Sequence, residues 1–399
     1  MHTDVLIIGG GVIGSSIAYH LALQKRKVLV CERAAVATEP AASWASAGGV
    51  RRQGRDPAEA ALASEAIARW PHLEEELDAK VQYRQGGNLL LAEDDERAAA
   101  LAAHVAQQRA LGFTDVVLLD RAAVREIVPG IAEAVIAASF SPADGQADPA
   151  LTTRAFAAAA QRHGATYWTE TSCESLQVAG GHVGGARIVR SEGNASSIAQ
   201  RGAHDLGPWA GDIAAEVVVL AAGAWSDTLA AGVGLRLPIR TQALQMLLTT
   251  PAPAGTLVPV VSALGRELSL KQRDDGAFLL GGGWPGNPSF DRRGYTMRPA
   301  SMEGNWAQAC AVLPAVAGTQ IARAWCGLEA MSVDALPFIG FAPGIDGLCV
   351  VAGFSGHGFA IAPAVGRAVA DLLAGKPVPE LEGLSLARIE QISGERIRW

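Results

Sequence analysis

The sequence predicts an α/β fold with a second, discontinuous α+β part built on an antiparallel sheet. Two buried-strand runs, each followed by a glycine-rich turn and a helical segment, predict the first part: one at the N-terminus and one at 347–373. Apolar residues alternating along short segments between 236 and 324 predict the second. A chain of 399 residues, 49% hydrophobic and 18% charged, is long enough for two cores.

Taken in order, residues 4–8 (DVLII) are a short apolar run, 12–24 favour a helix, and 27–31 (KVLVC) are a second apolar run ending at Glu32, which together make a βαβ unit. Periodicity then gives way to Ala, Ser and Gly from Arg33 to Arg55, a loop of functional character. Asp56 and Pro57 supply an N-cap and first helical position for a helix to Trp70. Strands are expected at 81–92 and 115–119, around a helix at 94–111. Asp148 and Pro149 repeat the cap-and-proline signal for a helix to His163, and 216–222 is a buried strand closed by Gly223. Strands at 243–249, 267–272 and 277–281, with a helix at 299–312, form the antiparallel part. The polar, Gly-rich stretch 190–214 is expected to be a surface excursion. The expected division is 1–80, 145–235 and 325–399 in one domain, and 81–144 and 236–324 in the other.

Charge and cysteine usage exclude several classes. A net charge of −7, with no basic cluster beyond Arg51, Arg52 and Arg55, argues against nucleic acid as a partner. Cys31, Cys173, Cys310, Cys326 and Cys349 stand singly, without metal-ligand spacing, so neither a disulfide framework nor a metal site is expected. No apolar run reaches the roughly 18 residues of a transmembrane segment and no leader pattern precedes the first strand, so a cytoplasmic protein is expected.

Gly9, Gly11 and Gly14 fall between the first strand and helix, where a tight turn, close approach to a pyrophosphate and helix–strand packing require missing side chains. The helix beginning at Val12 and Ile13 offers free N–H groups and a positive dipole to phosphate. Glu32 ends the second strand, placed to accept from an adenosine ribose. This is the signature of a Rossmann-type ADP site. At 353–359 (GFSGHGF), Gly353, Gly356 and Gly358 open a second helix N-terminus, with His357 beside it as a donor. Two such turns so far apart suit FAD, whose reduced flavin carries negative charge around N1 and C2=O, and argue against an NAD-dependent dehydrogenase.

These residues carry a resemblance over nearly the whole chain. VLIIGGGVIGSSIAYHLA, Glu32–Arg33, SAGGVRRQGR at 46–55, ADGQADP at 143–149, LAAGAWS at 220–226, SVDALPFIG at 332–340 and GFSGHGFAIAPAVG at 353–366 resemble the D-amino acid oxidase superfamily. Within it, the chain is similar to the branch of sarcosine oxidases, glycine oxidase and the flavin subunits of proline, hydroxyproline and opine dehydrogenases. The resemblance implies that Ser46, Ala47, Gly48, Gly49 and Val50 lie against the isoalloxazine, that Cys173 meets adenine, and that Ala222 and Gly223 flank the pyrophosphate. Arg33, Ser43, Trp225, Gly327 and Phe359 join the implied cofactor contacts.

Departures from the family pattern shape the expected substrate. Relatives acting on primary amino acids carry an Arg at the position of Glu329, where it pairs a carboxylate; a Glu would repel one. A carboxylate-binding Lys of monomeric sarcosine oxidases is replaced by Ala360, and their oxygen-reducing Lys, expected near Leu279, is missing. Arg51, Arg52 and Lys271 remain as candidate carboxylate partners, each Arg equally able to be structural. Glu329 either faces the substrate or pairs internally with Arg323 or another cation. Cys326 stands where some relatives attach flavin covalently, but noncovalent FAD is expected, with a small buried thiol as the alternative role. The implied reaction is oxidation of the CH–NH bond of a small secondary amino acid by hydride transfer to flavin N5. Electrons then pass to oxygen or to a respiratory or partner-subunit acceptor. The alternatives are a flavin-bearing subunit of a hetero-oligomer with little activity alone, or an oxidase of a primary amino acid such as glycine; homo- or hetero-oligomers fit the resemblance.

Overall fold

The computed structural model describes residues 1–190, 209–289 and 294–392. The strand His2–Ile8, helix Val12–Leu23 and strand Val28–Cys31 form where the pattern places them. Their apolar runs do not alternate because both sheet faces are covered. Val5 and Ile7 pack in the cluster containing Ile17, Leu21 and Ile361, whereas Leu6 and Ile8 pack in a second with Leu176, Ile213 and Leu348.

Five parallel strands form the centre of the first sheet, in the order Leu348–Ala352, Trp209–Leu220, His2–Ile8, Val28–Cys31 and Thr166–Trp168. Phe338–Phe341 adds antiparallel at one edge. From His2–Ile8 the chain steps to one side and later returns to the other, so a crevice opens at the carboxyl ends of the strands, where such sheets bind ligands. The Val12–Leu23 helix lies between the helices Pro149–Arg162 and Gly358–Leu373. Backbones approach closely there: a Cβ on Gly366 would stand 2.0 Å from Ser16 Oγ, and that hydroxyl donates to the Ala362 carbonyl at 2.8 Å.

The expected excursion at 190–214 is corrected in part. Residues 191–208 lie outside the described residues, but Arg190 ends the strand His182–Arg190, which pairs antiparallel with Trp209–Ala214. Buried Ile213 and Ala215 alternate with exposed Asp212, Ala214 and Glu216, a period-2 pattern diluted by small residues.

The second sheet has eight strands in the order Ile321–Ser332, Ile239–Pro251, Ala277–Gly281, Ser269–Gln272, Val260–Ala263, Asn88–Ala92, Ala137–Ser141 and Val117–Asp120. Its pairings are antiparallel except Val260–Ala263 with Asn88–Ala92. The strand expected from 81 begins only at Asn88. Helix Pro299–Val312 covers one face through Ala309 and Val312, packed with Leu247, Leu270, Phe278 and Leu280. Ile321–Ser332 pairs along its length with Ile239–Pro251, so it runs across the division expected at 325 and belongs to this sheet. No helix among the described residues is long and apolar enough to cross a membrane.

Candidate cofactor and substrate site

The crevice is built first from backbone. Gly9 has φ +106°, and a Cβ there would stand 2.4 Å from the Ala221 carbonyl, so only glycine lets the two strand tips come together. A Cβ on Gly14 would stand 2.0 Å from the Gly9 carbonyl; this glycine serves helix–turn packing and does not line the crevice. At Gly11 a Cβ would meet only Ser43 Oγ, at 3.0 Å, leaving the side chain's path directed into the crevice. The helix that follows has no side-chain cap of its own, and Val12 N–H donates to Ser43 Oγ at 2.9 Å. Glu32 Oε2 accepts from Gly10 N–H at 2.7 Å and Oε1 from Ala34 N–H at 3.1 Å. Burial nevertheless raises its pKa.

One elongated cavity runs along these strand ends. Gly9, Gly11, Val12, Ile13, Glu32 and Arg33 line its first part; Cys173, Ala222, Gly223 and Trp225 line the opposite wall, where the Arg33 guanidinium lies 3.7 Å over the Trp225 ring. Ser43, Ser46, Gly353, Gly356, Gly358, Phe359 and Glu329 also line it. Glu329 is not paired with Arg323, which lies between Trp44 and Trp325. Instead Glu329 Oε1 accepts from Gly356 N–H at 3.1 Å, and burial pushes its carboxyl up to about 7. The turn carrying Gly356 is tied to the same strand: Ser355 N–H donates to the Ala330 carbonyl at 3.1 Å, and Ser332 N–H to Ser355 Oγ at 2.9 Å.

Several expected site residues stand elsewhere. Gly48, Gly49 and Val50 are held against 145–147: Gly49–Val50 pairs with Gly145–Gln146, and a Cβ on Gly48 would stand 2.0 Å from the Ala147 carbonyl. Neither they nor Ala47 line the elongated cavity. Arg51 Nη1 donates to the Gln53 carbonyl at 2.7 Å, and Arg52 pairs with Asp115 over the Phe113 ring. Both arginines are committed to internal partners. Lys271 lines a separate cavity with Trp44, Asp148, Arg323 and Trp325, and only Ser46 borders both. Burial lowers the Lys271 pKa to about 7, against the pull of Asp148, and a Cβ on Gly48 would stand 3.2 Å from its Nζ.

Along Ile321–Ser332, Gly327 faces the 42–45 turn, where a Cβ would stand 2.5 Å from that of Ala45. Cys326 points to the other face, with its thiol 3.5 Å from Met297 Sδ and beside Gly286 and Tyr295, away from the cavity. His357 does not line the cavity either: its Nδ1 is turned to Glu59, 3.3 Å from Oε2. Glu59 was not legible as a site residue, because an acid three positions after the Asp56 cap reads as ordinary helix-start chemistry.

A crevice that combines a glycine-cornered strand tip, an acid at the end of the neighbouring strand and a second helix N-terminus defines a dinucleotide-dependent oxidoreductase. Residues 4–372 match the DAO family of FAD dependent oxidoreductases, and the chain belongs to that family. It is 31% identical to glycine oxidase of Pseudomonas putida, over 94% of this chain and 95% of that one. It is 28% identical to sarcosine oxidase subunit beta of Rhizobium meliloti, over 98% and 89%. Among solved structures, L-proline dehydrogenase from P. horikoshii superposes with a TM-score of 0.86 at 28% identity, covering 98% of each chain. The protein is thus an FAD-dependent enzyme of the amino acid oxidase type. The glycine at position 11 and the two helix N-termini that line one crevice fit that cofactor.

Proposed function

We propose that this enzyme oxidises the CH–NH bond of a small secondary amino acid, N-substituted or cyclic. The observation that carries the reading is Glu329: in the lining of the cofactor crevice stands a carboxylate with a backbone N–H as its hydrogen-bond donor, where a guanidinium would be needed to grip a substrate carboxylate. A carboxylate there favours the ammonium of the substrate and disfavours an anionic end. Glu329 also holds Gly356 and so fixes the turn that opens the Gly358–Leu373 helix. FAD, when bound, supplies the acceptor for the hydride. Gly11, the Val12–Leu23 helix N-terminus and Glu32 would hold its ADP half, and the Gly353–Gly358 turn would face its flavin half.

Of the three candidate carboxylate partners, Arg51 and Arg52 are engaged internally, which leaves Lys271 as the candidate without such a partner. The five free cysteines fit a reducing, cytoplasmic setting. Anaerobic flavin bleaching, screened with sarcosine, proline, hydroxyproline, iminodiacetate, opines and glycine, tests the reading. Faster bleaching by glycine than by every N-substituted amino acid would overturn it. The likeness to a sarcosine oxidase subunit supports a second reading, a flavin-bearing subunit that needs a partner for turnover. Bleaching by substrate without turnover in oxygen distinguishes it.

A further inference from the structure

The cavity that holds Lys271, about 390 Å³, is floored by one row of the antiparallel sheet. Lys271 pairs with Leu279, Leu279 with Leu248 and Leu248 with Arg323, across four neighbouring strands. Directly paired residues project to the same face, and all four line this cavity. The row therefore runs cation, leucine, leucine, cation, with three strand spacings, roughly 14 Å, between the backbones at its ends.

Neither end cation is in contact with a carboxylate of the protein. Of the other ions in the lining, Arg84 pairs with Asp274 at 2.9 Å and Arg273 with Asp275 at 3.2 Å. Asp148 Oδ1 accepts from Leu151 N–H at 2.8 Å and so caps its helix. Lys271 is only 5% exposed, yet it has no hydrogen-bond or ion-pair partner among the described residues. The charged groups that act on its amine, Asp148, Arg273, Arg84 and Asp274, all line the same cavity. Burial lowers the Lys271 pKa, and a carboxylate seated beside it would restore the charge. Arg323 is exposed, with its guanidinium 5.3 Å from the Trp44 ring centroid and 5.1 Å from that of Trp325. The Trp325 indole is itself fixed by donating from Nε1 to the Ala45 carbonyl at 3.1 Å. Ring contacts hold a guanidinium without using its N–H groups, which stay available to an anion.

We propose that Arg323 determines specificity for a second carboxylate: the cavity takes amino acids whose nitrogen substituent ends in a carboxylate. The amino acid's own carboxylate meets Lys271, the distal one meets Arg323, and Leu279 and Leu248 meet the carbon chain between them. The walls set this orientation. Lys271 Nζ lies 3.2 Å from where a Cβ on Gly48 would stand, two residues from Ser46, which also borders the cofactor crevice, whereas Arg323 is at the exposed end. The inference rests on the secondary-amine reading for the reacting nitrogen, and names the substrate class within it. A ligand with one carboxylate engages one cation and leaves Arg323 on its rings.

The test is calorimetric binding of succinate, glutarate and adipate to FAD-loaded enzyme, each against the monocarboxylate of equal carbon number. The best dicarboxylate is expected to bind roughly 5-fold tighter or more than its monocarboxylate, the scale of one partly exposed charged contact. Lys271→Met should weaken both series, and Arg323→Gln should bring the ratio toward one. Anaerobic bleaching should show the same preference for the N-carboxyalkyl over the N-alkyl form of one amino acid. A wild-type ratio near one, no binding of either series, unaltered binding in folded Lys271→Met, or an unchanged ratio in folded Arg323→Gln would overturn the proposal. The probes carry no amine and cannot reduce flavin, so a failure of every secondary amine to bleach it would sink the amine reading separately.

Discussion

Replacing Glu329 by Gln keeps the shape of the side chain and removes its ability to ionise, so the charge alone is tested. In the wild type Oε1 accepts from Gly356 N–H at 3.1 Å, and under the proposed reading the carboxylate also receives the substrate ammonium. A hydrogen bond to a charged group contributes about 1.5–3 kcal/mol against about 0.5–1.5 for a neutral one. The difference of roughly 1.4 kcal/mol per bond corresponds to about 10-fold in the rate constant for flavin reduction. Burial pushes Glu329 up to about 7, so the ionised form that the argument needs develops only as pH rises through that value. Below it the wild type carries a neutral carboxyl and should behave like the variant. The expected outcome is a wild-type to Glu329→Gln ratio of about two at about pH 6, rising to about ten by about pH 8.5. Stopped-flow bleaching under anaerobic conditions with the best N-substituted amino acid measures it, and taking the ratio cancels titration of the substrate. Stability provides a control with a fixed sign. The folded-state pKa lies above the ordinary 4.5, so the wild type loses stability relative to Glu329→Gln as pH rises from 4.5 to about 7. A kinetic ratio flat with pH, beside that stability change, would refute a substrate-facing carboxylate.

Three other outcomes are expected. Gly11→Trp should fold but purify without FAD, read as absorbance near 450 nm, because its side chain enters the crevice; Gly14→Ala should lower Tm as well, since its Cβ meets the Gly9 carbonyl at 2.0 Å. Full flavin content in Gly11→Trp would contradict the cofactor path. Acid precipitation should release the flavin into the supernatant, because the Cys326 thiol faces Met297 and Tyr295; colour remaining in the pellet would show a covalent bond. Arg388→Ala should cost about 3–5 kcal/mol in urea unfolding, since Arg388 pairs with buried Asp334 at 3.0 Å and lies 3.9 Å over Phe338. A loss below about 1 kcal/mol would mean that water replaces the guanidinium.

The sequence carried the cofactor crevice better than the substrate end, for a physical reason. Gly9, Gly11 and Gly14 answer to short-range backbone geometry, and Pro299–Val312 and Gly358–Leu373 to helix periodicity, so spacing alone announces them. Arg51 and Arg52 could not be sorted, because a guanidinium satisfied by Gln53 or Asp115 has the same letter as one reaching for a ligand. Whether Cys326 or Gly327 faces the crevice is decided by strand phase, which required the pairing of Ile321–Ser332 with Ile239–Pro251. Lys271 was placed on a strand by pattern, but its cavity is shaped by Trp44, Asp148 and Trp325, which come from three other parts of the chain. Glu59 was hidden by the opposite problem: its local role explains it completely until its burial is known.

The strand Ile321–Ser332 sets a limit on how this enzyme can change. Glu329 and the backbone that grips the Gly353–Gly358 turn lie within four consecutive residues: Glu329 holds Gly356, Ala330 receives Ser355, Met331 bridges Phe354, and Ser332 donates to Ser355. An insertion or deletion that re-tunes recognition by sliding this strand one place would turn Glu329 to the opposite face and unfasten the turn in the same event. Substrate preference can therefore drift by exchanging side chains but not by shifting register. Under the proposed reading, directed evolution of the enzyme should find new specificities as point substitutions at Glu329, with length changes confined to the loops that flank the strand.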